Sequence, residues 1–270
     1  HGGSAITSML GSSRHRGVDL IASDSDATQT LGGKLAYGAT DADLEDEDVV
    51  VYACGDHGWR ALGTTRTDEH GRFAMTLADA QRVPVGMHDL YAGVPGDGTG
   101  VRFLAYVAPA GTRVLVTDVD GTLTKSEHAM VATVVLGEDI DNQPGAPEAL
   151  AASGMQVVYV TGRGDQFTNV TRDWLTRHGF PRGPLRLAPT TSLGSGEKTI
   201  AYKADALAAL HVPVAFAIGN RATDIAAYSR AGVAPDRIYI HLPEFAAEVD
   251  EPIGQHHCVG FTEYGKIHWP

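Results

Sequence analysis

The fold of this chain is decided by the stretch Thr112-Arg113-Val114-Leu115-Val116-Thr117-Asp118-Val119-Asp120-Gly121-Thr122-Leu123-Thr124. Its apolar residues 114–116 predict a strand that is buried on both faces, as in a parallel sheet. Asp118 and Asp120 follow at positions i and i+2, and Gly121 allows a sharp turn after them. Because α/β sheets bind ligands at the carboxyl ends of their strands, this turn is expected to open into a binding crevice. A chance Asp-rich turn is the alternative.

Three later stretches argue against a chance turn. Each combines an apolar or amphipathic segment with polar residues of a type that handles phosphate or a cation. They are residues 157–164, ending with Thr161, Gly162 and Arg163; residues 197–210, with Lys198 and Lys203; and residues 215–224, ending with Asn220, Arg221 and Asp224. The alternation of predicted strands and helices over this half of the chain predicts a parallel sheet with helices on both faces.

The order of these groups, an Asp pair, Thr, Lys and then Asn with Asp, resembles the four motifs of the haloacid dehalogenase (HAD) superfamily of phosphotransferases. A closer resemblance is to the catalytic domain of lipins, the Mg-dependent phosphatidate phosphatases. It is carried by residues 118–124 (DVDGTLT), 171–175 (TRDWL), 183–189 (GPLRLAP), 219–224 (GNRATD) and 228–240. The resemblance covers about residues 112–243 and implies a HAD-like fold for them; each motif is weak alone and specific only in combination.

The resemblance and the residue types together assign the reaction to two carboxylates. Asp118 would attack phosphorus, form an aspartyl-phosphate and bind Mg²⁺. Asp120 would protonate the leaving alkoxide and then activate water, and its backbone carbonyl is a metal ligand in the family that this site resembles. Asn220 would supply an amide oxygen to Mg²⁺, and Asp224, one helical turn later on the same face, would bind it directly or through water.

Phosphate binding is assigned to the second and third motifs. The Thr161 hydroxyl and the Gly162 amide would hold a phosphoryl oxygen, and a lysine would balance its charge. Lys203 is preferred as this lysine because its surroundings fit the helix pattern of the family better than those of Lys198. The candidate substrate-binding residues are Gly162, Arg163, Lys198 and Arg221, and structural packing is an equal alternative for Arg221.

The spacing of the motifs leaves no room for a large folded cap. Residues 118–161 must hold one connection and one helix, and residues 161–203 one helix, one strand and a loop. The site is therefore expected to be open, which suits a phosphate carried on a bulky lipid at a membrane surface.

Three functions compete. The first is a Mg-dependent phosphatase that converts phosphatidate to diacylglycerol, and the second is the same chemistry on a soluble phosphomonoester or a phosphoprotein. The third is a non-catalytic module that binds phosphatidate, since lipid-transfer proteins carry lipin-like domains thought to sense the lipid. The presence of Asp118, Asp120 and Lys203 counts against the third reading, because a sensor needs no acid/base carboxylate.

The first half of the chain predicts a separate all-β domain. Six short strand-like runs, several with alternating apolar and polar residues, lie between turn residues and predict a β-sandwich. They are residues 34–37, 49–53, 59–65, 72–77, 88–94 and 101–107. The resemblance to lipins, which carry an immunoglobulin-like domain beside their catalytic domain, implies that this sandwich is immunoglobulin-like. Residues 1–30 are expected to form a loosely ordered arm, residues 31–110 the sandwich and residues 111–270 the catalytic domain. The acidic run between Asp41 and Asp48 is read as a solvated loop in preference to a calcium site.

The composition of the chain limits the classes of binding partner that are expected. The net charge of -12 over 270 residues disfavours nucleic-acid binding, although the five arginines between Arg163 and Arg186 could form a local basic face. No run is apolar enough to span a bilayer, so only peripheral membrane contact is expected. The two cysteines predict no disulfide framework, and residues 256–258 (HHC) are a weak metal candidate. Because the sequence starts with His rather than Met, a trimmed leader is conceivable and the compartment stays open.

Overall fold

The computed structural model describes residues 11–56, 58–126, 139–189 and 196–269. The chain divides into two compact units, residues 1–110 and 111–270. No helix in the described parts of the chain is long and apolar enough to cross a membrane. Cys54 and Cys258 are both free thiols.

The first unit is a β-sandwich. A three-stranded sheet has the order β1-β3-β8, a five-stranded sheet has the order β2-β10-β9-β6-β7, and β4 and β5 form a short pair. All neighbouring strands are antiparallel except β2 and β10, which run parallel. The strands are β1 (Arg16–Val18), β2 (Leu20–Ser23), β3 (Thr28–Lys34), β4 (Ala36–Tyr37), β5 (Ala42–Asp43), β6 (Asp48–Gly55), β7 (Gly58–Arg66), β8 (Arg72–Ala78), β9 (Gly86–Val94) and β10 (Thr99–Ala108).

Alternation along the strands builds the core between the two sheets. In β6, Val49, Val51 and Ala53 are buried, while the residues between them are only partly covered. One cluster of buried apolar side chains, centred on residues such as Leu31 and Leu90, joins both sheets. The sandwich predicted from periodicity is confirmed.

The prediction of a loosely ordered arm is wrong for residues 16–30, because these residues supply β1, β2 and the start of β3. Residues 1–10 lie outside the described residues. Glycines replace apolar side chains in β1 and β3, which hides the strand pattern from a periodicity analysis. Large rings from other strands fill the space instead: a Cβ on Gly17 would lie 2.3 Å from the Phe103 ring, and one on Gly33 would lie 2.6 Å from the Phe73 ring.

The carboxylates of the acidic run pair with basic side chains of the sandwich. Both oxygens of Asp41 accept hydrogen bonds of 2.7 Å from the Arg16 guanidinium, and Asp43 pairs with Lys34 at 2.8 Å. Arg66 pairs with Asp46 and Asp48 at the surface, where both aspartate side chains are exposed. The prediction of a solvated loop is therefore wrong for Asp41 and Asp43, which are half-buried, whereas Asp46 and Asp48 are solvated as predicted.

The second unit is an α/β domain with a wholly parallel six-stranded sheet. Its order is β13-β12-β11-β14-β15-β16. The strands are β11 (Val114–Thr117), β12 (Gln156–Gly164), β13 (Leu185–Ala188), β14 (Val214–Gly219), β15 (Ile238–His241) and β16 (Val259–Phe261). The helices are α1 (Ala146–Ala152), α2 (Thr168–Arg177), α3 (Glu197–Ala208), α4 (Ala222–Arg230) and α5 (Ala246–His256). The predicted fold class, a HAD-like parallel sheet after a β-sandwich, is confirmed.

The described residues between the motifs form few helices and strands. Between the first and second motifs the described residues hold one helix, α1, and between the second and third they hold α2 and β13. Neither interval contains a folded cap among the described residues. At the end of α5, His257 has a left-handed backbone with φ of 55° and ends the helix, and no three His, Cys, Asp or Glu side chains converge there within the described chain.

Candidate functional site

The central strands of the parallel sheet bring the motifs together. β11 lies between β12 and β14, so residues that follow these strands meet at one edge of the sheet. Asp118 and Asp120 follow β11, Thr161 lies near the end of β12, and Asn220 follows β14. The helix α3 adds Lys203 from the side. The sheet topology thus explains why residues more than one hundred positions apart form one cluster.

Lys203 is the centre of the cluster. Its Nζ donates hydrogen bonds of 2.7 Å to Asp118 Oδ1 and 2.6 Å to Asp224 Oδ1, and all three side chains are buried. Burial alone would lower the pKa of Lys203, but the charges of Asp118 and Asp224 outweigh it and raise that pKa well above its usual value. Lys203 is therefore a permanent cation at neutral pH.

A group of oxygen atoms lies beside this cation. The Thr122 hydroxyl is 3.2 Å from Asp118 Oδ2 and 3.0 Å from the Asn220 amide oxygen. Asp118 thus directs Oδ1 to Lys203 and Oδ2 to Thr122. The two side-chain oxygens predicted to bind a cation converge on one hydroxyl.

Asp224 has a different environment from the one expected of a metal ligand. Its Oδ1 is bonded to Lys203, and its Oδ2 accepts 3.0 Å hydrogen bonds from the backbone amides of Asn220 and Arg221. This carboxylate completes a capping box at the start of α4. Both oxygens are used inside the protein, so Asp224 holds Lys203 and the 220–221 turn in place.

Asp120 is held by Arg163. The Arg163 Nε lies 3.1 and 2.9 Å from the two carboxylate oxygens of Asp120, and Nη2 lies 2.6 Å from Oδ1. Thr161 donates a further bond of 3.2 Å to Asp120 Oδ2, and Arg163 Nη1 donates a 3.0 Å bond to Thr171. This bidentate pair is buried on the arginine side, where the Arg163 side chain is 6% exposed.

Three other predicted residues lie apart from this network. Lys198 is exposed in the first turn of α3 and has no hydrogen bond or ion pair to a described residue. The Arg221 Nε is bonded to both oxygens of Glu248, and its guanidinium lies 4.1 Å from the Phe245 ring centroid, so its visible role is packing. Gly162 lies between Thr161 and Arg163 within β12.

The arginines from 163 to 186 do not form one exposed basic face. Arg163 is buried on Asp120, and Arg177 pairs with the exposed Asp139 at 3.2 Å. Arg182 is exposed, while Arg172 and Arg186 are half-buried.

Sequence reasoning missed four residues that support the cluster. Thr122 was inside the first motif but received no role. Tyr228 donates to the Ile218 carbonyl at 2.9 Å, and Tyr264 donates to the Thr122 carbonyl at 2.8 Å. Burial raises the pKa of both phenols well above the usual value, with nearby carboxylates adding to the effect. His241 is also buried nearby, and burial lowers its pKa. The C-terminal segment that carries Tyr264 has no periodic spacing of apolar residues, so no sequence pattern indicated that Tyr264 supports the cluster.

The donor set partly fits a magnesium ion. Mg²⁺ prefers hard oxygen ligands and is commonly bound through one or two carboxylates with several waters retained. Asp118 and Asn220 offer a carboxylate and an amide oxygen on the same side of the cluster. Asp224 fits the role of a direct ligand less well than Asp118, because its Oδ1 is bonded to Lys203 and its Oδ2 accepts from two backbone amides.

The fold and the cluster define a HAD-like domain that follows a β-sandwich, and comparison with known proteins places it in a family. Residues 115–241 match the family model described as "PITM 1-3, LNS2 domain". Residues 13–107 match the model described as "PITM 1-3, beta-sandwich domain". The chain therefore belongs to the HAD-like LNS2 family, in the form that carries a PITM-type β-sandwich before the LNS2 domain.

Curated relatives match over both units. The chain is 30% identical over 237 residues to membrane-associated phosphatidylinositol transfer protein 2 of Homo sapiens, covering 84% of this chain and 17% of the relative. It is 30% identical over 234 residues to the protein retinal degeneration B of Drosophila melanogaster, covering 84% and 18%. It is 27% identical over 233 residues to membrane-associated phosphatidylinositol transfer protein 3 of Homo sapiens, covering 84% and 23%. The chain thus spans about a fifth of the length of these relatives.

Proposed function

We propose that the LNS2 domain of this protein binds the phosphomonoester headgroup of a lipid such as phosphatidate, as a recognition module rather than as a phosphatase. The observation that carries this reading is the Asp120–Arg163 pair. Both carboxylate oxygens of Asp120 accept hydrogen bonds from the guanidinium. A general acid needs an oxygen that faces the leaving group, and in this conformation Asp120 has none to spare.

The same pair removes the argument that an intact Asp120 marks an enzyme. Asp120 anchors Arg163, which in turn reaches Thr171 on α2. A binding module therefore has a structural use for this carboxylate. Thr161, the Gly162 amide and the positive charge of Lys203 are the groups assigned to the phosphate. The Thr161 hydroxyl donates to Asp120 in this structure and would turn to the phosphate when the headgroup binds.

The family supports a lipid ligand. The relatives that match both units are named membrane-associated phosphatidylinositol transfer proteins, so lipid is the ligand class of the proteins in which this arrangement occurs. The described intervals between the motifs contain no folded cap. A site without a cap would admit a headgroup that stays attached to its membrane.

The proposal is tested by co-sedimentation of the full chain with phosphatidylcholine vesicles. One set contains phosphatidate, and a second contains phosphatidylserine at matched surface charge. We expect preferential binding to phosphatidate and a loss of that preference of about tenfold in Thr161→Val, since one charge-assisted hydrogen bond contributes on the order of 1.5–3 kcal/mol. Arg177→Gln, which changes an exposed arginine of the same domain, is the control and should bind like the parent chain. Equal binding to both vesicle types would refute the proposal.

A second candidate function, Mg-dependent phosphatase activity, is favoured by one observation. Asp118 lies at the end of β11 with Lys203 on one oxygen and the Thr122–Asn220 pair beside the other. In this reading Asp118 and Asn220, with the Asp120 carbonyl, would hold Mg²⁺, which when bound would neutralise phosphate charge. Asp118 would then take the phosphoryl group, and Asp120 would have to leave Arg163 before it could transfer a proton.

Phosphate release separates the two candidates. The assay uses phosphatidate in mixed micelles and a water-soluble phosphomonoester, each with Mg²⁺ and with chelator. A phosphatase gives Mg-dependent release that Asp118→Asn and Asp120→Asn abolish, whereas the binding module gives none. Release from the soluble ester alone would favour the soluble-substrate enzyme over both lipid readings.

A further inference from the structure

The outer face of the five-stranded sheet in the first unit carries a cluster of aromatic and cationic side chains. We name Tyr52, Trp59, Tyr91 and Arg102 the aromatic patch. They come from four different strands, β6, β7, β9 and β10. Trp59 is 45% exposed, which makes it one of three large hydrophobic residues exposed to this degree in the described chain. The patch lies in the β-sandwich and contains no residue of the LNS2 site.

Strand register assembles the patch. Tyr91 is paired with Tyr52 on one side and with Arg102 on the other. The Tyr52 and Tyr91 rings are 6.4 Å apart and inclined at 42°, and the Trp59 and Tyr91 rings are 6.2 Å apart at 66°. The Arg102 guanidinium lies 5.8 Å from the Trp59 ring centroid. These contacts give one continuous surface.

Two glycines leave space for the Tyr91 side chain to pack along the surface of the sheet. A Cβ on Gly100 would come within 2.3 Å of the Tyr91 hydroxyl oxygen, and one on Gly93 within 3.0 Å of its ring. Glycine within a strand commonly marks a close approach of this kind. Packing accounts for the position of Tyr91, but it leaves the exposure of Trp59 unexplained.

The cation of this surface is not committed to a carboxylate. The Arg102 side chain forms no hydrogen bond or ion pair with a described residue, and its guanidinium contacts the Trp59 ring. Arg16 and Arg66 of the same unit, in contrast, each pair with aspartates. Asp89 shares the face of β9 with Tyr91, two residues away. In a chain with a net charge of -12, an uncommitted guanidinium beside an exposed tryptophan is an unusual local surface.

We propose that the aromatic patch docks on the interfacial layer of an anionic phospholipid bilayer. Trp, Tyr and Arg combine an apolar body with a polar end, and such side chains settle at the level of lipid headgroups. The Arg102 guanidinium matches the charge of anionic lipid, which an acidic protein needs if it is to approach such a membrane. Rings inclined at 42° and 66° share no plane, so they do not form the flat platform that a sugar or a nucleic-acid base would stack on.

The test uses vesicles that lack a phosphomonoester, so that it is separate from the proposed LNS2 function. The full chain is sedimented with phosphatidylcholine vesicles containing phosphatidylserine. We expect Trp59→Ala and Arg102→Gln each to weaken binding by about fivefold or more, the scale of one interfacial side chain. The control is Val85→Ala, because Val85 is equally exposed, at 48%, next to the opposite end of β9. Its binding should equal that of the parent chain.

Tryptophan quenching gives an independent readout. Vesicles made with brominated lipid should quench Trp59, and the quenched fraction should disappear in Trp59→Phe, which retains Trp174 and Trp269. Circular dichroism of each variant verifies that the sandwich is folded. Unchanged binding of folded Trp59→Ala, or quenching that survives in Trp59→Phe, would overturn the proposal. Binding of a neutral glycan that Trp59→Ala abolishes, without vesicle binding, would overturn it as well.

Discussion

Lys203 is a buried cation that lies between two buried carboxylates, and this fixes what each of the three residues can do. An ion in a low-dielectric interior is tolerated only when it is paired and hydrogen-bonded. Asp118 and Asp224 supply that pairing, so their positions depend on Lys203 as much as its position depends on them. The same three residues therefore serve stability and any phosphate chemistry together.

The first prediction concerns Lys203→Met. The variant leaves two carboxylates buried without their cation, and we expect the free energy of unfolding of the second unit to fall by about 3–5 kcal/mol. The loss should be smaller at pH 5 than at pH 8, because unpaired buried carboxylates take up protons more readily and are then neutral. Urea unfolding at both pH values measures it.

The matched control is Lys198→Met, an exposed lysine on the same helix. It should change the unfolding free energy by no more than about 0.5 kcal/mol. For the parent chain, the raised pKa of Lys203 means that its contribution is fully present at neutral pH and is lost only when the solution is made strongly alkaline. Equal destabilisation by the two variants would contradict the buried ion network.

The second prediction concerns pH and His241. This ring is 2% exposed between Phe261 and Tyr264, and burial lowers its pKa below the usual 6.5. The unfolded chain therefore binds a proton more readily than the folded chain, and stability is lost as the pH falls below about 6.5. We expect His241→Gln to flatten this slope between pH 7.5 and 5.5 in urea titrations. His268→Gln, at an exposed position, should keep the slope of the parent chain.

At the scale of elements, close approaches between backbone and side chain position the site. Gly219 ends β14, and a Cβ there would lie 2.5 Å from the Cβ of Asp224. The third prediction is that Gly219→Ala destabilises the second unit by about 1–3 kcal/mol, because Asp224 must move away from the turn that it caps. The preference for phosphatidate vesicles should fall with it.

Gly254 is the matched control for this prediction. It lies within α5, where an added Cβ meets no atom within 4 Å. Ala is the better helix former, so Gly254→Ala should stabilise the unit by about 0.5–1 kcal/mol. A Gly219→Ala chain that unfolds like the parent would show that Asp224 is free to shift. Thermal and urea unfolding of both variants measure the two changes in unfolding free energy.

Elements with strong periodicity could be predicted from the sequence, and elements held by distant partners could not. The runs 49–53, 59–65, 72–77, 88–94 and 101–107, predicted as strands, all lie within the observed strands β6 to β10. In contrast, β1 and β3 contain glycines whose space is filled by Phe103 and Phe73, which no local pattern reveals. For the site, motif order indicated which residues meet, but hydrogen-bond partners such as Arg163 for Asp120 depend on the turn geometry.

At the scale of the whole molecule, the C-terminal segment is part of the LNS2 core. β16 adds the last parallel strand beside β15, and Tyr264 donates to the carbonyl of Thr122 in the first motif. Trp269 packs against Phe216 and Tyr239 with ring centroids 5.4 and 5.7 Å away, and its Nε1 donates to Ala149 at 2.9 Å. A segment without hydrophobic period thus supports the loop that carries Asp118.

The fourth prediction is that deletion of residues 258–270 destabilises the second unit alone. The hydrogen bonds and ring contacts of Tyr264 and Trp269 lie within residues 111–270, and each unit has its own apolar core. Hydrogen exchange followed by mass spectrometry should therefore show faster exchange in β11 and β14, while β6 and β9 keep the protection of the parent chain. Tyr264→Phe is the graded companion: loss of one buried hydrogen bond should cost about 1–3 kcal/mol and raise exchange in the same strands to a smaller extent. Equal loss of protection in both units would show that the sandwich depends on the LNS2 domain, and unchanged exchange would remove the tail from the core.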